Sequence, residues 1–143
     1  MTQTTSSSSH LPTLVSVRLI TDDVSGLAAF YERITGTPVE WSTPDFVELR
    51  TRAGTLAIGS TRTVALFGAG SARPADNHTA ILEFLVDDVD AEYDRIRQAP
   101  TEFVNKPTTM PWGNRSLLIR DPDRNLVNLF TPVTPEARAK FGR

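Results

Sequence analysis

Two charged residues interrupt runs that otherwise read as apolar strands. Arg18 sits in V-S-V-R-L-I at 15–20, and Glu83 in A-I-L-E-F-L at 80–85. Arginine offers a planar fork of five N–H donors, matched to carboxylates and other anions. Glutamate accepts hydrogen bonds and, beside a suitable substrate, can remove a proton as a general base. The rest of the reactive inventory is thin. The chain has no cysteine, which excludes thiolate nucleophiles, disulfides and cysteine-ligated zinc. Of its two histidines, His10 lies in a polar N-terminal stretch, and His78, three residues before Ile81, reads as a surface residue near the start of a strand. There is no G-x-S-x-G, and neither histidine is placed to serve as a base for a nucleophile. Gly68-Ala69-Gly70 is not a phosphate loop, because no Lys-Ser/Thr and no strand-to-helix context follow it. Aromatic residues add a binding character: Trp41, and Trp112 in the run Met110-Pro111-Trp112-Gly113, could stack on a flat or apolar ligand. Phe46, Phe67 and Phe103 are candidate pocket walls.

The elements that must position these residues repeat along the chain. Segment 15–31 is a strand-like run, then Asp22-Asp23-Val24, then a helical pattern; segment 80–96 does the same around Asp87-Asp88-Val89, 65 residues on. Arg18 and Glu83 are repeat mates at that same offset. Asp23 or Ser25, and Asp88 or Asp90, can cap the helices, because a short side-chain oxygen accepts from a free backbone N–H. The first helix carries Val24, Leu27, Ala28 and Tyr31 on one face and stops near Gly36, with Pro38 unable to continue it. The second carries Val89, Tyr93 and Ile96 and stops before Pro100. Three strand-like segments follow each helix: about 38–42, 45–50 and 54–59, then about 101–105, 115–120 and 125–130. Gly54 and Asp121-Pro122-Asp123 mark the turns between the last two strands of each set. The connector, rich in Ser, Ala, Gly and Pro, contains a possible short strand from Val64 to Phe67.

With 143 residues, 39% hydrophobic and 22% charged, the chain is sized for one domain that folds without a disulfide or a structural metal. A net charge of -2 with mixed signs argues against nucleic acid as a partner. No apolar stretch approaches the ~20 residues that span a bilayer, so no membrane role is expected. Residues 1–13 read as a disordered tail without a signal peptide, and a cytoplasmic location follows as the default. The folded domain is expected over 14–133, with modules at about 14–60 and 79–132 and a connector at 61–78. A short C-terminal tail, either a turn of helix or loose, covers 134–143.

Three pieces carry a family resemblance: the strand leading into D-D-V with Phe30-Tyr31 on the helix after it, its repeat F-L-V-D-D-V-D-A at 84–91, and R-D-P-D-R-N-L-V-N-L-F at 120–130. In this order and spacing, over about residues 14–132, the chain resembles the vicinal oxygen chelate superfamily, the glyoxalase, bleomycin-resistance and dioxygenase proteins. The resemblance implies an α+β fold of two tandem βαβββ modules, forming a curved mixed sheet around a cleft. It also implies where a metal would sit, on the first and last strand of each module. Carried over residue by residue, those positions are Ser16, Ala57, Ile81 and Asn128. These side chains are not the imidazole or carboxylate donors that a divalent metal needs. The resemblance is therefore to metal-free members, with no metal ligand and no cofactor.

If position 16 faces the cleft, strand alternation sends Arg18 and Ile20 there too, and likewise Ile81, Glu83 and Leu85. Val17, Leu19, Leu82 and Phe84 then pack on the helices. Arg18 and Glu83 are expected to meet near the pseudo-twofold axis, either orienting a polar ligand or filling the metal's place as a structural ion pair. The candidate ligand-binding set is Ser16, Arg18, Trp41, Ala57, Ile81, Glu83, Met110, Trp112 and Asn128. The resemblance implies a metal-independent small-molecule binding protein, of the kind that sequesters antibiotics, rather than an enzyme. The alternatives are a metal-free lyase or isomerase with Glu83 and Arg18 as catalytic candidates, or a metal-dependent dioxygenase or lyase whose ligands lie elsewhere. Members of this build are often homodimers, so a homodimer with a small-molecule ligand is the expected assembly.

Overall fold

A computed structural model describes residues 10–143. The greater part of the tail expected at 1–13 lies outside the described residues. The chain runs β1 (Ser16–Thr21), α1 (Val24–Thr35), β2 (Glu40–Thr43), β3 (Phe46–Arg50), β4 (Thr55–Ser60), α2 (Thr61–Ala65) and β5 (Ile81–Leu85). It continues with α3 (Val89–Ile96), β6 (Glu102–Phe103), β7 (Thr108–Thr109), β8 (Asn114–Arg120), β9 (Leu126–Pro132) and α4 (Pro135–Lys140). The fold is α+β with two mixed sheets. One has the order β1-β4-β3-β2, the other β5-β9-β8-β6, with β7 also paired to β8. The first and last long strands of each sheet run parallel (β1 with β4, β5 with β9), and the remaining pairs are antiparallel. Parallel neighbours need a crossover, which the helix supplies in each half.

Local chemistry explains why the two halves begin alike. Asp23 is the N-cap of α1 and accepts from the Gly26 N–H; Asp88 is the N-cap of α3 and accepts from the Ala91 N–H. Helix α1 ends where Gly36 takes φ 66°, a left-handed conformation that a side chain would strain, and its N–H closes on the Glu32 carbonyl. The apolar face of α1 is wholly buried: Val24, Leu27, Ala28, Phe30, Tyr31 and Ile34. It packs on Val47, Leu49, Leu56 and Ile58 of the first sheet, while Val89 and Ile96 of α3 join Leu117, Ile119, Val127 and Leu129 of the second, all in one core. Fully burying each such aliphatic side chain contributes about 1.5–3 kcal/mol relative to exposure.

The halves are also tied by polar contacts. The Tyr31 hydroxyl donates to Asp121 Oδ2 at 2.6 Å, a buried carboxylate at the turn between β8 and β9. Two arginines are exchanged between helix ends: Arg33 reaches the Ile96 and Pro100 carbonyls, and Arg95 reaches the Arg33 and Ile34 carbonyls. Each cation thus meets the unsatisfied carbonyls at the other helix's C-terminus.

Three local expectations are corrected, and an open one is decided. The stretch Val64–Phe67 is not a strand: α2 occupies Thr61–Ala65, capped by Ser60, whose side chain accepts from the Arg62 N–H, and a turn at Leu66–Phe67 follows. The C-terminal segment takes the helical one of its two expected forms. Helix α4 starts at Pro135 behind the Thr134 cap and buries Ala137, and Phe141 beyond it lies 5.3 Å from the Phe130 ring. The loop before β8 contains β7. Val17, expected to pack on the helices, is 43% exposed.

Candidate ligand-binding site

The first strand of each sheet is an edge strand, and its neighbour's register decides what each side chain meets. In the first sheet Arg18 lies opposite Ala57. In the second, Glu83 lies opposite Asn128. These rungs are equivalent, but their contents differ. Asn128 Nδ2 donates to Glu83 Oε2 at 2.9 Å, so the second rung closes on itself. Ala57 is a methyl group with nothing to offer a guanidinium. The expected meeting of Arg18 with Glu83 does not occur; neither forms an ion pair with any described residue. Each side chain is accommodated within its own half instead. Arg18 lies over the Phe46 ring, 4.8 Å from its centroid, and 5.5 Å from that of Phe67.

The two charges also face different spaces. Arg18 lines two pockets. One, of about 400 Å³, is walled by β1 and the connector from Gly70 to Asn77, with Asn125 at its edge. The other, of about 500 Å³, is walled by Phe46, Leu66 and Phe67, with Asp45 and Arg62 at the rim. Glu83 lines a third, a slit of about 310 Å³ between the β1 and β5 edges, together with Ser16, Ile81 and Thr55. Ala57, Asn128, Trp41, Met110 and Trp112 line none of these three. Ala57 is buried. Trp41 pairs with Val47 on β2 and is half exposed. Trp112 projects from a tight turn closed by the Gly113 N–H on the Met110 carbonyl. That turn requires glycine: φ is 94°, and a Cβ would fall 2.1 Å from Thr134 Oγ1. Phe103, a candidate wall, instead packs edge-on against Tyr93 in the core, 5.1 Å between centroids.

As a donor set, Ser16, Ala57, Ile81 and Asn128 do not fit a divalent metal: one hydroxyl, one amide and two alkyl groups supply no anionic or imidazole ligand. Nor do three or more His, Cys, Asp or Glu converge on a possible metal position anywhere among the described residues. Asn128 Oδ1 is buried without a hydrogen-bond donor, its amide nitrogen being committed to Glu83.

A second polar centre lies at the β8–β9 turn. Asp121 accepts from Tyr31, from the Asp123 and Asn125 backbone N–H groups, and from Asn125 Nδ2. Asn77 of the connector donates to Asn125 Oδ1, so the connector wall of the Arg18 pocket is fastened to this turn. Burial, with the Asp121 charge beside it, pushes the Tyr31 hydroxyl far above its ordinary range. Burial also raises the Asp123 carboxyl, opposed by a Thr21 hydrogen bond and reinforced by the charges of Asp121, Asp22 and Asp23. No sequence signal pointed to the Tyr31–Asp121 bond or to Gly70–Asn77 as a pocket wall, whereas Phe46 and Phe67, expected as walls, do line a pocket with Arg18. Among the described residues no helix is long and apolar enough to cross a membrane.

Known proteins share this build. Among curated proteins, "Uncharacterized protein YraH" of Bacillus subtilis (strain 168) is 26% identical over 129 residues, covering 82% of this chain and 96% of that one. A glyoxalase/bleomycin resistance protein/dioxygenase family enzyme from Burkholderia phytofirmans PsJN superposes with a TM-score of 0.75 at 21% identity, over 85% of this chain and 100% of that one. A glyoxalase/bleomycin resistance protein/dioxygenase from Nocardioides gives a TM-score of 0.70 at 20% identity, over 94% and 95%. At these identities the structures share the fold. The family model of the Glyoxalase/Bleomycin resistance protein/Dioxygenase superfamily matches residues 13–129. With four-fifths of its length on that model and both half-sheets in the matching arrangement, the chain belongs to the Glyoxalase/Bleomycin resistance protein/Dioxygenase superfamily.

Proposed function

We propose that this chain is a metal-independent binding protein for a small organic molecule, held by side chains around β1. The observation that carries this reading is the chemistry of the four positions where metal-dependent relatives place ligands: Ser16, Ala57, Ile81 and Asn128. Openings of about 310, 400 and 500 Å³ beside β1 suit small molecules, which occupy pockets of roughly 300–1,000 Å³. Sequestration of a toxic compound such as an antibiotic is the form of binding this reading favours, because it needs no catalytic group. Elemental analysis of the purified protein, followed by zinc and cobalt titration, tests it. The expected result is less than a tenth of an equivalent of metal and no uptake at micromolar concentration. Stoichiometric, tightly held metal would return the chain to the metal-dependent enzymes.

One observation supports a second reading, a metal-free lyase or isomerase. Glu83 lines the slit between β1 and β5 and is oriented by Asn128, as a general base would need to be. Glu83→Gln separates the two readings: it abolishes turnover if Glu83 takes a proton, and leaves ligand binding at the Arg18 pockets unchanged if the chain only binds.

A further inference from the structure

We infer that the ligand is an organic anion with an apolar body, its acid group taken by Arg18 and its body by the Phe46–Phe67 wall. This rests on the small-molecule binding reading and names the ligand class.

The first support is a charge count. Around the larger Arg18 pocket the other ionisable residues are Asp45 and Arg62, which are paired through two guanidinium nitrogens. Around the smaller one they are Arg73 and Asp76, paired at 2.7 Å. Each pocket is left with one cation that has no counter-charge among the described residues, and it is the same cation, Arg18. The second support is geometric. A guanidinium stacked on an aromatic ring uses its face, while its N–H donors lie in its plane. The exposed Arg18 guanidinium lies 4.8 Å from the Phe46 centroid and 5.5 Å from that of Phe67, and none of its donors makes a hydrogen bond to a described residue. Seated beside two aromatic rings, it keeps its N–H donors free of protein partners among the described residues, and that fork is matched to a carboxylate, sulfonate or phosphate. The third support is the wall beside it. Leu66 is 88% exposed and Phe67 78% exposed, large apolar surfaces that a ligand body would cover.

The test uses two probes with one ring framework: 8-anilinonaphthalene-1-sulfonate, and N-phenyl-1-naphthylamine, which lacks the sulfonate. Both are titrated by fluorescence against the full chain, Arg18→Met and Phe67→Ala. The full chain should bind the sulfonate about tenfold more tightly than the neutral amine, the scale of a charge-assisted hydrogen bond at an exposed site. Arg18→Met should abolish that preference while leaving the amine's affinity unchanged, which also checks that the variant is folded. Phe67→Ala should weaken both probes alike. Equal binding of the two probes by the full chain, or a preference that survives Arg18→Met, would overturn the anion assignment and leave small-molecule binding standing. Failure of both probes to bind would overturn both.

Discussion

The two halves of this molecule share strands, caps and register, and differ in what they do with the same places. The rung at β5–β9 joins Glu83 to Asn128 by a side-chain hydrogen bond, leaving Asn128 Oδ1 buried without a donor. The rung at β1–β4 sets an exposed Arg18 against Ala57, with no side-chain hydrogen bond between them. The turns contrast in the opposite sense. The β3–β4 turn closes locally, Thr51 bonding to the Gly54 carbonyl in an exposed loop. The β8–β9 turn buries Asp121 and Asn125 at its base and takes up Tyr31 from the other half. One duplicated scaffold thus carries a structural centre in its second half and, in its first, an exposed cation beside pockets with no ion-pair partner among the described residues. The backbone is held in common, and the side chains facing across each rung divide the roles.

That contrast is sharpest at the turns. Asp121→Ala removes the acceptor of four hydrogen bonds, one from Tyr31, and leaves buried donors unpaired. It should cost about 3 kcal/mol in urea denaturation, whereas Thr51→Ala, at the equivalent exposed turn, should cost under about 1 kcal/mol. Equal costs would remove the distinction between the turns.

The caps test how far the repeat is equivalent in energy. Asp88→Ala should cost about 1 kcal/mol, the usual worth of an N-cap. Asp23→Ala should cost less, because Asp23 is one of the charges facing Asp123, and its loss relieves that repulsion. If Asp23→Ala proves the more damaging of the two, like-charge crowding at this junction is unimportant.

The smallest effect is a pH slope. The folded Asp123 carboxyl is raised above its ordinary 3.8, so in that window the folded chain binds more protons than the unfolded one. The resulting stabilisation is fully present below the unfolded value and is lost as pH rises through the folded one. Asp123→Asn should therefore be more stable relative to the parent at neutral pH than at pH 3, as followed by thermal melts across that range. A parent-to-variant difference that is constant with pH would show that Asp123 titrates as in the unfolded chain.

Much of this architecture was legible in the sequence, for local reasons. Asp-Asp-Val before a helical pattern announces a cap wherever it occurs, and Gly36 marks a helix end because the left-handed conformation there costs glycine little. Alternation in L-E-F-L or L-V-N-L-F states which residues share a face, whatever lies opposite. The Val64–Phe67 stretch was misread because four mostly apolar residues have no period of their own. Ser60 and Thr63, whose side chains bond to the backbone around them, start a short helix that ends at Ala65 and gives way to a turn.

The sequence by itself determined the duplicated α+β build, its caps and breaks, and the absence of metal donors at Ser16, Ala57, Ile81 and Asn128. Only the tertiary structure decided that Arg18 and Glu83 do not pair, that Phe46 and Phe67 hold the arginine, and that the connector walls its pocket. The physical reason is the range of the interactions. Caps, turns and periodicity are set by residues a few positions apart. The partner of a charged side chain is set by the neighbouring strand's register and by the path of a connector fastened at Asn125, both products of contacts between segments distant in the chain.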